Sequence, residues 1–327
     1  MVSTLRWGVL GTARIARERM LPILQSTPRS TVVAIASREK DRAEQVARDF
    51  GIPRHYGDYD ELLADPEIDA VYIPLPPSLH VEWTLKAIAA GKAVLTEKPL
   101  ATTESEAAAI VGASNERGLL VAEALQYRHH PRFRALLDLI ESGELGAVQL
   151  VRASFGYRAT EKHRVRLDPT LGGGAILDLG CYLLDSLRLV LRNARAVEAQ
   201  GVVTRAPSGV DDLAAAVVRY SGGRVGLIDC SLRLPWRFAP LEVVGERRSA
   251  RLVQAFNPGE QPSTIELLAE SGDIQALDFA GIDPQRVMVR DFVAAILEGQ
   301  PFPFPIDGSI NTLAAIDLLR GLPMRAR

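Results

Sequence analysis

The sequence predicts an α/β protein in two parts: an N-terminal doubly wound parallel sheet, then a C-terminal α+β domain with a large, mainly antiparallel sheet. Three observations predict it. Over the first 125 residues short apolar runs alternate with stretches of helical period, the pattern of strands buried on both faces and joined by crossover helices. Beyond about residue 125, strand candidates follow one another with turns between them, which favours antiparallel pairing. The 327 residues, 47% hydrophobic and 24% charged, supply core for two domains at roughly 150 residues each. These are placed at 1–125 and 126–327.

Each element has a local reason. Leu5–Leu10 is an apolar run, and Ile15, Met20, Leu21 and Leu24 recur at helical intervals between Arg14 and about Gln25. Thr31–Ala36 and the polar-faced stretch Glu39–Phe50 form a second strand–helix unit, stopped by Gly51 and Pro53. A short helix at Tyr59–Ala64 precedes the strand run Asp69–Ile73, then an amphipathic helix from Leu79 to Ala90 with Gly91 just past its end. Ala93–Thr96 (strand), Glu104–Glu116 (helix) and Leu119–Ala122 (strand) complete the first domain. In the second, strands are expected at Val148–Phe155, Val197–Thr204, Leu213–Tyr220, Gly223–Leu232 and Leu241–Gly245. Ser221–Arg224 reads as a hairpin and Gly245-Glu246 as another turn. Helices are expected at Pro131–Ser142, Ala175–Val190, Arg286–Glu298 and Ile310–Leu319.

Composition excludes several classes. Lys and Arg number 38 against 40 Asp and Glu, a net charge of −2, which gives no field for gripping nucleic-acid phosphates or an anionic membrane. No apolar window reaches the ~18 residues of a membrane span, and the opening MVSTLRWGVLG is strand-like instead of a charged segment followed by an apolar one. A cytoplasmic location is the expectation. Cys181 and Cys230 stand 49 residues apart without Cys/His clustering, so they read as small core hydrophobes and no metal is expected.

Four motifs carry chemistry. The first strand runs into Gly11-Thr12-Ala13-Arg14-Ile15-Ala16, a variant of the Rossmann dinucleotide fingerprint placed where a pyrophosphate meets the free N–H groups of a helix start. Alone, that turn also fits any strand-to-helix junction. The second strand ends in Ser37-Arg38 with no acid before Glu39, which favours NADP: a hydroxyl and a guanidinium bind a 2′-phosphate, and a carboxylate there would repel it. Thr96-Glu97-Lys98-Pro99 sets an acid and a lysine at the carboxyl edge of the sheet, in a chain with only five lysines, and Pro99 sits where a cis peptide would serve a sharp turn. Finally, Gly172-Gly173-Gly174 releases the backbone before a helix in which Asp178, Tyr182 and Asp185, at i, i+4 and i+7, are expected on one face.

In this order the motifs resemble the Gfo/Idh/MocA oxidoreductases over nearly the whole chain. Tyr182, together with Glu123-Ala124, Tyr127-Arg128 and His130-Pro131, is similar to the branch of trans-dihydrodiol dehydrogenases and NADP-dependent D-xylose dehydrogenases. The chain departs from the usual pattern at Ala13, Thr96, Gln126 and Pro77. The resemblance implies hydride transfer between a nicotinamide, NADP with NAD as the lesser option, and a hydroxyl or carbonyl carbon of a sugar or related polyol. It implies Tyr182 as the proton donor or acceptor. Lys98 lowers the phenol from about 10 toward neutrality and bonds the same oxygen, and Asp178 orients Lys98 or a substrate hydroxyl. The implied cofactor residues are Gly11, Thr12, Ala13, Arg14, Ile15, Ser37, Arg38, Pro74, Leu75, His80, Glu97 and Lys98; the implied substrate residues are Arg128, Tyr157, Arg166 and Trp236. A homodimer or homotetramer is implied as well. The alternatives are a keto- or anhydro-sugar reductase, a trans-dihydrodiol dehydrogenase and, in another class, a nicotinamide-binding regulator without turnover.

Overall fold

A computed structural model describes residues 3–326. Met1 and Val2, the start of the strand-like opening, lie outside the described residues. The chain falls into two units by contact grouping, Met1–Ala101 with Ser105–Leu125 and Gln285–Asp307 in one, and the remainder in the other.

In the first unit β1 (Leu5–Leu10) leads through a helical turn to α1 (Leu21–Ser26), then β2 (Ser30–Ala36), α2 (Lys40–Phe50), β3 (Arg54–Tyr56), α3 (Tyr59–Ala64) and β4 (Ala70–Ile73). α4 (His80–Ala89), β5 (Ala93–Thr96), α5 (Glu104–Arg117) and β6 (Val121–Glu123) follow. The six strands are parallel in the order β3-β2-β1-β4-β5-β6. That is the doubly wound order, whose reversal between β1 and β4 opens a crevice at the carboxyl ends of the strands. β4 and β5 are buried throughout, which is why they read as unbroken apolar runs. β3 escaped the sequence reading because its three residues Arg-His-Tyr are half-buried and carry no apolar pattern. α2 ends at Gly51 in the left-handed conformation, as a helix stop requires.

The second unit holds α6 (Pro131–Glu141), β7 (Val148–Arg158), α7 (Cys181–Val190), β8 (Ala196–Arg205), β9 (Asp211–Tyr220), β10 (Val225–Ser231), β11 (Arg233–Phe238), β12 (Leu241–Gly245), β13 (Arg248–Leu252), β14 (Ser263–Ala269) and β15 (Ile274–Phe279). After α8 (Pro284–Glu298) come α9 (Gly308–Arg320) and β16 (Met324–Ala326). The sheet order is β15-β14-β13-β12-β7-β10-β9-β8-β16, with β11 pairing β7. It is mainly antiparallel, with β7–β10 and β8–β16 parallel. β11 and β13 to β16 are additional to the strands expected: Arg248 and Arg251 interrupt β13, and β15 is largely exposed.

One expectation is corrected. The sequence reads as a second domain continuous from 126 to 327, whereas residues 285–307 group with the first unit. α8 buries Met288, Val289, Phe292 and Val293 in the core of the parallel sheet, and Phe292 packs on Trp7 with ring centroids 5.0 Å apart.

Candidate active site

In the first unit the residues expected to hold a cofactor gather at the carboxyl ends of the strands. Gly11 follows β1 with φ +110°, and a Cβ there would stand 3.0 Å from Leu75 Cδ2, so the turn needs both glycine's conformational freedom and its missing side chain. Thr12 is buried, Ala13 and Ile15 are half-buried, and Arg14 is exposed with its guanidinium 3.8 Å from Glu18. A helix opens directly behind the turn, through a π turn at Ala16–Met20 into α1. At the end of β2, Ser37 is buried and its Oγ accepts from the Glu39 amide at 3.2 Å. Arg38 is exposed and faces the Tyr59 hydroxyl together with Arg42; burial pushes that phenol up, and the two guanidinia pull the other way. The Tyr59 hydroxyl is also 3.6 Å from where a Gly11 Cβ would stand. The structure therefore groups a glycine cradle, a hydroxyl and two cations, which fits a dinucleotide carrying a 2′-phosphate. Arg42 was not singled out from the sequence, although its i+4 spacing from Arg38 was visible there.

Pro74 is buried and Leu75 half-buried after β4. Glu97 accepts from the Tyr72 hydroxyl at 2.8 Å, Lys98 beside it is half-buried, and the Lys98–Pro99 peptide is cis. His80, expected to approach the cofactor or substrate, is corrected. It is fully buried with Nδ1 2.7 Å from the Pro99 carbonyl and Nε2 2.7 Å from the Leu75 carbonyl. Both ring nitrogens face main-chain carbonyls, and the neutral ring donates its one hydrogen to one of them, so His80 sits between the turns after β4 and β5 and shapes the site without presenting a nitrogen to a ligand. Burial holds the imidazole below its usual range.

In the second unit the glycine run explains itself. Gly172 and Gly174 have φ +76° and +123°, and a Cβ on Gly173 would lie 2.7 Å from the carbonyl oxygens of Val165 and Asp168. At Gly174 a Cβ would lie 2.3 Å from Asp211 Oδ2. The Asp211 carboxylate occupies that space because its Oδ1 accepts from the Ile176 amide at 2.7 Å, closing the N-terminus of the helix that carries Asp178 and Tyr182. Asp211 was not found from the sequence, since 35 residues separate it from the amide it caps.

Tyr182 is 7% exposed, its ring among those of Phe155, Tyr127 and Phe256 at centroid distances of 5.4, 5.9 and 6.0 Å. Its hydroxyl donates to Gln126 Oε1 at 3.3 Å. Asp178 Oδ2 accepts from the Tyr157 hydroxyl at 2.7 Å and pairs with Arg166 Nε at 2.8 Å, and the Arg166 guanidinium lies 5.7 Å from the Tyr157 ring centre. Burial works against the Arg166 charge, but Asp178, Tyr157 and Tyr182 outweigh it and raise its pKa. A carboxylate, a guanidinium and two phenols are thus assembled around one helix start.

Three expectations change here. Asp178 and Asp185 do not act as one polar face: a π turn at Ile176–Gly180 lengthens the helical turn after Asp178, and the two carboxylates have separate partners. Asp185 is fully buried and binds Arg128 at 2.5 Å and Arg188 at 2.7 Å. Arg128, expected to line a substrate pocket, is spent on that internal ion pair with only 3% of its side chain exposed. Trp236 stands 69% exposed on β11, and no ring contact or hydrogen bond ties it to the Asp178 cluster among the described residues. The described residues hold no cluster of three or more metal-ligating side chains, and no helix among them is long and apolar enough to cross a membrane.

The model of the oxidoreductase family with an NAD-binding Rossmann fold matches residues 5–125, and that of the GFO/IDH/MocA C-terminal domain matches residues 133–251. The chain is 34% identical to an NADP⁺-dependent D-xylose 1-dehydrogenase of Haloferax volcanii, over 96% of this chain and 95% of the relative. It is 36% identical to a dTDP-3,4-didehydro-2,6-dideoxy-α-D-glucose 3-reductase of Saccharopolyspora spinosa, over 91% and 90%. Among solved structures, the 3-ketoreductase KijD10 of Actinomadura kijaniata, in complex with NADP and TDP-benzene, superposes with TM-score 0.90 at 29% identity, covering 99% of each chain.

Proposed function

From the premise that the chain belongs to the Gfo/Idh/MocA family of oxidoreductases, we propose that it is an NADP-dependent sugar dehydrogenase of aldose 1-dehydrogenase type. Bound nicotinamide supplies or accepts the hydride at a hydroxyl- or carbonyl-bearing carbon. Tyr182 holds or releases the proton of the substrate oxygen, and the Lys98 ammonium bonds the same oxygen and favours the phenolate. Asp178, steadied by Arg166 and Tyr157, orients neighbouring substrate hydroxyls. Gly11 to Ile15, Pro74, Leu75 and Glu97 hold the dinucleotide, and Ser37, Arg38 and Arg42 take its 2′-phosphate. The observation that carries this reading is the Tyr182 hydroxyl at the end of a nearly buried aromatic ring, on the helical stretch whose start carries Asp178 paired with Arg166, a charged cluster able to bind polyhydroxylated compounds. Reduction of a keto-sugar is the second reading, favoured by the likeness to a 3-ketoreductase, because the same residues serve both directions by microscopic reversibility. Exposed Val202, Val217, Leu268 and Ile274 on the second sheet support a homodimer or homotetramer.

The cofactor half is tested by Arg38→Ala. The substitution is expected to weaken NADP(H) binding by about 1.5–3 kcal/mol, the strength of a charged hydrogen bond, with little effect on NAD(H). Fluorescence titration with both cofactors measures this; an equal loss for both would make Arg38 structural and remove the basis for NADP selection.

A further inference from the structure

We propose that Gln126 is a positioning residue that fixes the proton of Tyr182, an inference that rests on the reading of Tyr182 as the acid/base group. The Gln126 amide bridges two groups: Oε1 accepts from the Tyr182 hydroxyl at 3.3 Å, and Nε2 donates to the Phe256 carbonyl at 3.4 Å. The second contact sets the direction of the first. A flipped amide would put its oxygen against the Phe256 carbonyl, two acceptors face to face, so the group presented to Tyr182 is a carbonyl oxygen. A carbonyl accepts from a neutral phenol and repels a phenolate. Gln126 therefore stabilises the protonated tyrosine and aims its hydrogen along one line, leaving the oxygen's lone pairs for other donors.

Other groups around Tyr182 in its own unit act differently. Tyr127, from the turn that carries Gln126, Phe155 from β7 and Phe256 after β13 present rings. Arg166, from the turn at Glu161–Leu167, presents a cation partly neutralised by Asp178, which favours the phenolate. Gln126 opposes that cation, and it opposes the role proposed for Lys98. The balance sets the pH at which the phenol changes state.

The test is the titration of Tyr182 in the intact protein, followed by the ring-carbon NMR signal of carbon-13-labelled tyrosine, with Tyr182→Phe identifying the resonance. Gln126→Leu is expected to move the Tyr182 titration down by about half to one pH unit, the size of one hydrogen bond to the neutral form. Gln126→Glu, as a carboxylate, is expected to move it up by about one unit or more. Opposite shifts cannot come from general loosening, and Lys98 and Arg166 are common to all variants and cancel in the comparison. Shifts of the same sign, or none in either variant, would overturn the inference. If the shifts appear but Tyr182→Phe retains full turnover, the acid/base reading fails and the placement of Gln126 stands.

Discussion

Tyr182→Phe is expected to lower kcat by roughly 10²-fold or more while leaving NADPH binding nearly intact. The substitution removes one oxygen. The ring keeps its place against Phe155, Tyr127 and Phe256, so the aromatic wall and the helix behind it are preserved. The hydrogen bond to Gln126 at 3.3 Å is lost from the fold, a contact worth about 1 kcal/mol in stability. A fall in kcat without a matching fall in NADPH affinity is therefore a statement about chemistry. Steady-state kinetics with a cofactor titration on the same preparation separates the two, and retained turnover would remove Tyr182 from the mechanism.

The second large effect is structural. Arg128→Ala is expected to destabilise the protein by about 3–5 kcal/mol, because it strands a carboxylate in a fully buried position. Burial alone would push the Asp185 carboxyl up, but the guanidinia of Arg128 and Arg188 prevail, aided by the Tyr127 hydroxyl, and hold it at about 2. The sign follows from linkage. A carboxyl held below its unfolded value contributes stability that is complete above the ordinary carboxylate range and is lost as pH falls toward about 2. Without Arg128 that restraint weakens, so acid unfolding should begin at higher pH. Urea unfolding at neutral pH and a pH titration of circular dichroism measure both effects; a wild-type midpoint and acid limb would show that Arg188 alone neutralises the carboxylate.

The parallel half of the fold was legible because strands buried on both faces write themselves as apolar runs and their crossover helices carry recognisable stops, such as Gly51 and Gly91. β13 to β15 were not, since β13 is broken by Arg248 and Arg251, β14 buries only Ile265 and Leu267, and β15 has no buried position. The glycine run at 172–174 announced a freed backbone, yet the reason for Gly174 lies in Asp211, brought close only by the sheet. His80 and Arg128 were misread for one reason. A polar side chain in a motif looks available for a ligand until the fold surrounds it with carbonyls or a buried carboxylate. Gln126 was visible as a departure from pattern, but its partners Tyr182 and Phe256 lie 56 and 130 residues away.

The central claim is hydride transfer between a sugar carbon and NADP, and isotope transfer tests it most directly. The purified protein is incubated with NADP⁺ and fully carbon-deuterated aldoses, D-xylose first, and the reduced cofactor is weighed by mass spectrometry. The account predicts reduced cofactor carrying one deuteron from the sugar, formed faster than with NAD⁺. Reduced cofactor without deuterium, or no reduction with any aldose by a protein that still binds NADPH, would contradict it.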